Sequence, residues 1–208
     1  LLGLVGSEMC IRDRYSRKDF DGMHTAGRVA AEILDEIVTS VFPGQTTGKI
    51  DAIIEELIRD KNVESGTIGY RGYQHASCIS VNHVVCHGIP SDKILKEGDI
   101  LNIDVTVIKD GWYGDTSRMY VAGQPSRKAE RLIQVTHDAL FKGIDAVKPG
   151  KTFGDIGHAI QTYVEANRMS VVRDFCGHGL GRVFHSPPNV LHYGCLLYTS
   201  PSPRDLAV

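Results

Sequence analysis

The chain has 208 residues, enough for one compact domain that buries about 70% of its unfolded surface. Hydrophobic residues make up 42% and charged residues 23%, globular proportions that exclude wholesale disorder. A net charge of −2 argues against a dedicated nucleic-acid or anionic-membrane binder, and no apolar run approaches the ~20 residues of a membrane span.

The two ends read as foreign to the rest. Met9-Cys10-Ile11-Arg12-Asp13 can be encoded by a short DNA whose opposite strand, shifted by one base, encodes Cys195-Leu196-Leu197-Tyr198-Thr199. Both resemble translated sequencing-adapter DNA. The expectation is a native domain over residues 16–194, flanked by non-native segments at 1–15 and 195–208. The five cysteines form no C-x-x-C pair and are odd in number, which points to free thiols in a reducing cytoplasm.

Between the ends, a helical stripe of Val29, Ile33, Leu34, Ile37 and Val38 stops at Pro43-Gly44. A second helix follows with Ile50, Ile53, Ile54 and Leu57. The same arrangement returns later. Leu132, Val135, Leu140 and Ile144 form a stripe that stops at Pro149-Gly150, and Ile156, Ile160 and Tyr163 mark the next helix. The shared pattern Pro-Gly-x-Thr-x-Gly-x-Ile recurs at an offset of 149 − 43 = 106 residues, so one supersecondary unit is present twice, facing its copy about a pseudo-twofold. Short strands are expected at Ser77–Val81 and His83–Cys86. The alternation of Ile103, Val105 and Val107 with Asn102, Asp104 and Thr106 predicts a longer one over Ile100–Ile108. Lys109-Asp110-Gly111 is a hairpin signal with Trp112–Val121 returning, and Ser170–Phe175 is the expected strand of the second copy.

The hairpin carries the first chemical signal. Whether the turn is Lys109-Asp110 or Asp110-Gly111, Asp115 falls on the same face as Asp104, opposite Asp104 itself or opposite Thr106. Paired acids repel unless a proton or cation intervenes, and a divalent metal is the simplest satisfaction. Alternation alone also fits a half-solvated sheet. Three histidines in glycine-rich, apolar settings tilt the balance toward a site: His87 before Gly88, His178 between Gly177 and Gly179, and His185 after Phe184. The other six histidines lack that context. Cys78, Cys86 and Cys176 have apolar neighbours and read as packing, while Gly69-Tyr70-Arg71-Gly72-Tyr73 supplies aromatics for a pocket or a core.

Asn102-Ile103-Asp104-Val105-Thr106, Gly114-Asp115-Thr116-Ser117, Cys86-His87-Gly88-Ile89-Pro90 and Gly177-His178-Gly179-Leu180-Gly181 resemble the type I methionine aminopeptidases, from about Ser16 to Gly194. The resemblance implies the α+β pita-bread fold of two pseudo-symmetric halves, the second incomplete here. It implies Asp104, Asp115 (bridging) and His178 as metal ligands, His87 near the substrate amine, and His185 at the scissile carbonyl. Tyr70, Tyr73, Cys78 and Phe184 would line the methionine pocket. The cofactor would be two divalent ions, with Mn, Fe, Co and Zn all compatible with mixed oxygen and imidazole donors. These would activate water to remove the initiator methionine from nascent polypeptides. The implied protein is a cytoplasmic monomer without membrane or nucleic-acid partners, and ribosome association is a further implication. The family pattern also contains two glutamate ligands in the second half, and no glutamate follows Glu165. The expectation is therefore weak metal binding and little activity. The rivals are an Xaa-Pro aminopeptidase of the same fold, which the motifs around His87 and His178 disfavour, and a non-catalytic peptide- or ribosome-binding module.

Overall fold

The computed structural model of the chain describes residues 15–194. The segments read as foreign lie outside the described residues, except Tyr15, which packs edge-on against Phe20 and Trp112. Helix α1 (Arg17–Glu36) opens with a capping box between Ser16 and Asp19, which satisfies its first amides. It buries Ala26, Ala30, Ile33 and Leu34, and a 3₁₀ turn over Ile37–Ser40 ends it. Helix α2 (Thr47–Asp60), capped by Thr46, buries Ile50, Ile54 and Ile58. Each such fully buried aliphatic side chain contributes about 1.5–3 kcal/mol.

The sheet is antiparallel. The short β1 (Glu64–Ser65) and β2 (Ser77–Val81) both pair with β3 (Asp99–Lys109), whose other edge pairs with β4 (Trp112–Ala122). Ile103, Val105 and Val107 are fully buried against α1 and α2, and Leu101 and Ile79 join the same core. The second unit consists of α3 (Arg127–Asp145), α4 (Phe153–Ala166), capped by Ser126 and Thr152 respectively, and a small ribbon of β5 (Gly177–Gly179) with β6 (Ser186–Val190).

The structure departs from the sequence reading in three places. His83–Cys86 is not a strand: Asn82 and His87 both take positive φ, and the segment turns away from the sheet. Ser170–Phe175 is also irregular, and the second unit's ribbon starts two residues later, at Gly177. The expected stripe of α3 is largely bare. Leu132, Leu140 and Ile144 are 44%, 55% and 52% exposed, while Val135, Ala139 and Gly143 form the face that packs on α4. Close approach there needs Gly143, because a Cβ would press on Ile160.

Candidate metal and peptide site

The β3–β4 turn is Asp110-Gly111, both with positive φ as a tight two-residue turn requires. This selects the register in which Asp115 faces Thr106, with Asp104 facing Ser117 on β4 and Cys78 on β2. The two aspartates are therefore diagonal neighbours on one covered face. The Thr106 hydroxyl, buried, donates to Asp115 Oδ1 at 2.8 Å. Burial pushes the Asp104 carboxyl up to about 7, and the Asp115 charge and a hydrogen bond shared with Asp115 add to the shift. A proton relieves this pair where no cation is bound.

The β5–β6 ribbon supplies the third donor. His178 Nε2 lies 3.5 Å from Asp115 Oδ2, and its Nδ1 faces the Gly179 carbonyl at 3.0 Å. With the ring proton on Nδ1, the Nε2 lone pair points at the acids, the arrangement usual for a metal-binding histidine. Two carboxylates and one imidazole suit a divalent ion. The set is a partial one: among the described residues, no three His, Cys, Asp or Glu side chains are gathered tightly enough to enclose an ion. Asp174, the acid nearest in sequence on that side, is exposed.

Above the acids stands an aromatic wall. The His178 and His185 rings are 4.2 Å apart between centroids, and Phe184 lies within 4.1 Å of His185. The Tyr70 hydroxyl meets His185 Nδ1 at 2.9 Å, and the two rings stack. Burial, and then the neighbouring His178, hold His185 below the ordinary imidazole pKa. Tyr73 lies on the β2 side, donating to the Ser77 carbonyl at 2.8 Å and accepting from the Cys78 thiol at 3.6 Å. Burial raises both the Tyr73 and the Cys78 pKa, so both stay neutral. Cys78, Cys86 and Cys176 are free thiols. His87 is exposed and stands apart from the other two histidines, edge-on to Phe175 at 5.7 Å, yet its charge is still felt at His185. Gly88 beside it is forced by packing, since a Cβ would enter the Ile79 backbone.

Seven of the nine residues singled out from the sequence thus cluster at the aromatic wall or the acid pair around β3 and β4. Asp104, Asp115, His178, His185, Tyr70 and Phe184 are linked by direct contact or shared charge, and Cys78 pairs with Asp104 across the sheet. Tyr73 reaches them through Cys78, and His87 sits at the rim. Sequence reasoning missed Tyr113, whose ring stacks on Phe184 at 5.5 Å and 13°. It also missed Asp51, a buried acid on α2 that accepts from the Ser77 amide and hydroxyl and pairs with His75 at 3.1 Å, fixing the start of β2. Tyr113 carried a signal, the period-2 alternation of β4; Asp51 carried none.

Residues 21–205 match metallopeptidase family M24. The chain is 54% identical over 180 residues to a methionine aminopeptidase of Rickettsia prowazekii, covering 86% of this chain and 70% of that protein. It is 51% identical over 178 residues to the Escherichia coli K12 methionine aminopeptidase, covering 85% and 67%. The crystal structure of the Rickettsia protein superimposes with a TM-score of 0.87 over 88% of this chain and 74% of that one. A prolidase from Pyrococcus furiosus, only 20% identical, shares the fold with a TM-score of 0.75, covering 86% and 52%. The α+β arrangement is the pita-bread fold that the motifs led us to expect.

Proposed function

The chain belongs to metallopeptidase family M24, and within it to the methionine aminopeptidases; from that premise we propose that residues 16–194 form its catalytic domain and act on initiator methionine. The observation that carries this reading is the meeting of Asp104, Asp115 and His178 beneath an aromatic wall. Asp104, Asp115 and His178 Nε2 would hold a pair of divalent ions, Mn, Fe, Co or Zn, which when bound would supply Lewis acidity and an activated water.

The chain's own residues bind and orient the substrate. Tyr70, Tyr73, Cys78 and Phe184 offer aromatic faces and a neutral thiol, which suit a thioether side chain. With Tyr70 donating to His185 Nδ1, the ring proton rests on Nε2, where it can be donated to the scissile carbonyl oxygen. The lowered pKa of His185 keeps that ring neutral near physiological pH, so no second positive charge competes with the ions. His87, exposed at the rim, is placed to exchange a proton with the substrate amine. The partners are nascent polypeptide N-termini, met in the cytoplasm by a monomer at or near the ribosome; among the described residues no helix is long and apolar enough to cross a membrane.

One observation favours a weakened form of this activity in the chain as it stands. No described group of three ligands encloses an ion, and no glutamate follows Glu165 to complete one. Calorimetric titration of the full chain with Mn²⁺ should show weak binding, weaker still in Asp104→Asn. Tight uptake of two ions would overturn the claim of weakness. A panel of Met-Ala and Xaa-Pro peptides at saturating Mn²⁺ should show slow cleavage of Met-Ala alone. Cleavage undiminished in Asp104→Asn would sink the assignment of the site, and turnover of Xaa-Pro peptides would favour the prolidase-like rival.

A further inference from the structure

His178, Phe184 and His185 all belong to the second unit, whereas the acids and Tyr70 belong to the first. Something must fix the height and tilt of the 177–185 strip over the β3–β4 hairpin, and the contacts that do so cluster around one side chain. The Arg182 guanidinium lies 4.0 Å above the Trp112 ring. It reaches the Asp110 carbonyl at 3.4 Å and packs over the hairpin turn, where a Cβ on Gly111 would press on it. Its charge is also felt at Asp19, in the first turn of α1. The neighbouring Gly181 carbonyl accepts from the Tyr113 amide at 2.9 Å.

Trp112 cannot retreat from this contact. It is 5% exposed, flanked edge-on by Tyr15, and seated on α1 at Gly22, where any Cβ would collide with the indole. At Gly181 a side chain would press on the Tyr15 hydroxyl, the tip of a half-buried ring. The buried indole is therefore the fixed surface on which the arginine rests. Three residues beyond it, His185 meets Tyr70, and two beyond it Phe184 stacks on Tyr113.

We propose that Arg182 is a positioning residue: by stacking on Trp112 and capping the Asp110-Gly111 turn, it locks the second unit's strip onto the first and so sets where His178 and His185 stand over Asp104 and Asp115. Its consequence for catalysis rests on the function proposed above, but the ring positions do not, and they can be measured without metal. The chain has a single tryptophan, so emission reports on Trp112 alone.

The experiment records imidazole ring signals by NMR and tryptophan emission for the full chain and for Arg182→Ala. In the alanine variant the His178 and His185 signals should move toward those of free imidazole, as Tyr70 and Phe184 leave their faces. Emission should shift to longer wavelength, and the His75 signals, held by Asp51 in the first unit, should stay in place. Arg182→Lys, which keeps the cation but not the planar stack, should restore part of the change. Unmoved His178 and His185 signals alongside a shifted emission would overturn the proposal, leaving a surface contact only. Movement of His75 together with them would overturn it too, because the effect would then be general loosening. If the alanine variant does not fold, the imidazole signals of Arg182→Lys and Trp112→Phe are read instead, the latter without an emission signal, and an undisplaced His185 in both sinks the idea.

Discussion

Asp104 lies between Cys78 and Ser117 on a covered sheet face, where burial favours the neutral carboxyl and the Asp115 charge favours it further. In the folded, metal-free chain it titrates at about 7, whereas in the unfolded chain it would titrate near ~3.9. Between those values the folded state keeps a proton that the unfolded state has lost. This group's contribution to stability is thus greatest below the unfolded pKa, declines as pH rises through the window, and levels off above about 7. Urea midpoints measured with a chelator present should fall over that range, and Asp104→Asn should flatten the fall. Parallel slopes for the two proteins would mean that the carboxyl is already ionised in the fold. Divalent ions require both acids ionised, so Mn²⁺ should raise the midpoint more at about pH 8 than at about pH 6. At this scale the sequence was legible in one respect and silent in another. Period-2 alternation put Asp104 and Asp115 on one face, but two turns were compatible with Lys109-Asp110-Gly111, and only the backbone of Asp110 and Gly111 selects the register with Thr106. Asp51 was invisible, because an acid within an amphipathic helix reads as a solvated position until β2 is seen to begin against it.

Elements with both a period and a stop signal were the ones the sequence defined well. Helices α1 to α4 end at Pro-Gly or begin at Ser and Thr caps, and the β3–β4 hairpin spans its expected range to within a residue or two. His83–Cys86 and Ser170–Phe175 have the valines of a strand but pair with no strand edge among the described residues, and β propensity without a ladder partner does not make a strand. Packing between elements was the least legible level, and Gly114 illustrates why. It sits on β4 where α1 crosses closest, and a Cβ there would enter the backbone of Ala26 and Gly27. Backbone atoms cannot swing aside as a side-chain tip can. Gly114→Ala should therefore cost about 1–3 kcal/mol or more, and displacing β4 also displaces Asp115, the next residue. The expected result is a lowered thermal midpoint together with weaker Mn²⁺ binding. Gly27→Ala, where a Cβ meets nothing within 4 Å, is the matched control: it should leave Mn²⁺ binding unchanged and raise the midpoint slightly, since alanine is favoured over glycine by about 0.5–1 kcal/mol inside a helix. Equal midpoints for the two variants would show that α1 and β4 have slack between them.

Across the whole molecule, the 106-residue repeat relates two units that are finished differently. Positions Val29, Ile33 and Ile37 of the first correspond to Val135, Ala139 and Gly143 of the second; the former join the core under the sheet, and the latter face the following helix. Positions Ala26, Leu34 and Val41 correspond to Leu132, Leu140 and Val147. In the first unit these three are 0%, 1% and 9% exposed, because β3 and β4 cover that side of α1. In the second they are 44%, 55% and 59% exposed, with Ile144 and Phe141 beside them at 52% and 49%. The stripe was correctly read as apolar, but periodicity records only that a face is apolar and not whether anything lies on it. A bare patch of four large side chains on one helix, with Val147 just beyond its end, is an association hazard. Among the described residues this face is left largely exposed, so changing it should affect solubility without affecting the fold. Leu140→Lys combined with Ile144→Lys should lower light scattering and the fluorescence of a bound apolar dye, while the unfolding midpoint moves by no more than about 0.5 kcal/mol. A large loss of stability would mean that these side chains are buried in the working protein. Unchanged scattering would place the adhesive surface elsewhere, with the outer edge of β4, where no described strand is laddered, the next place to look.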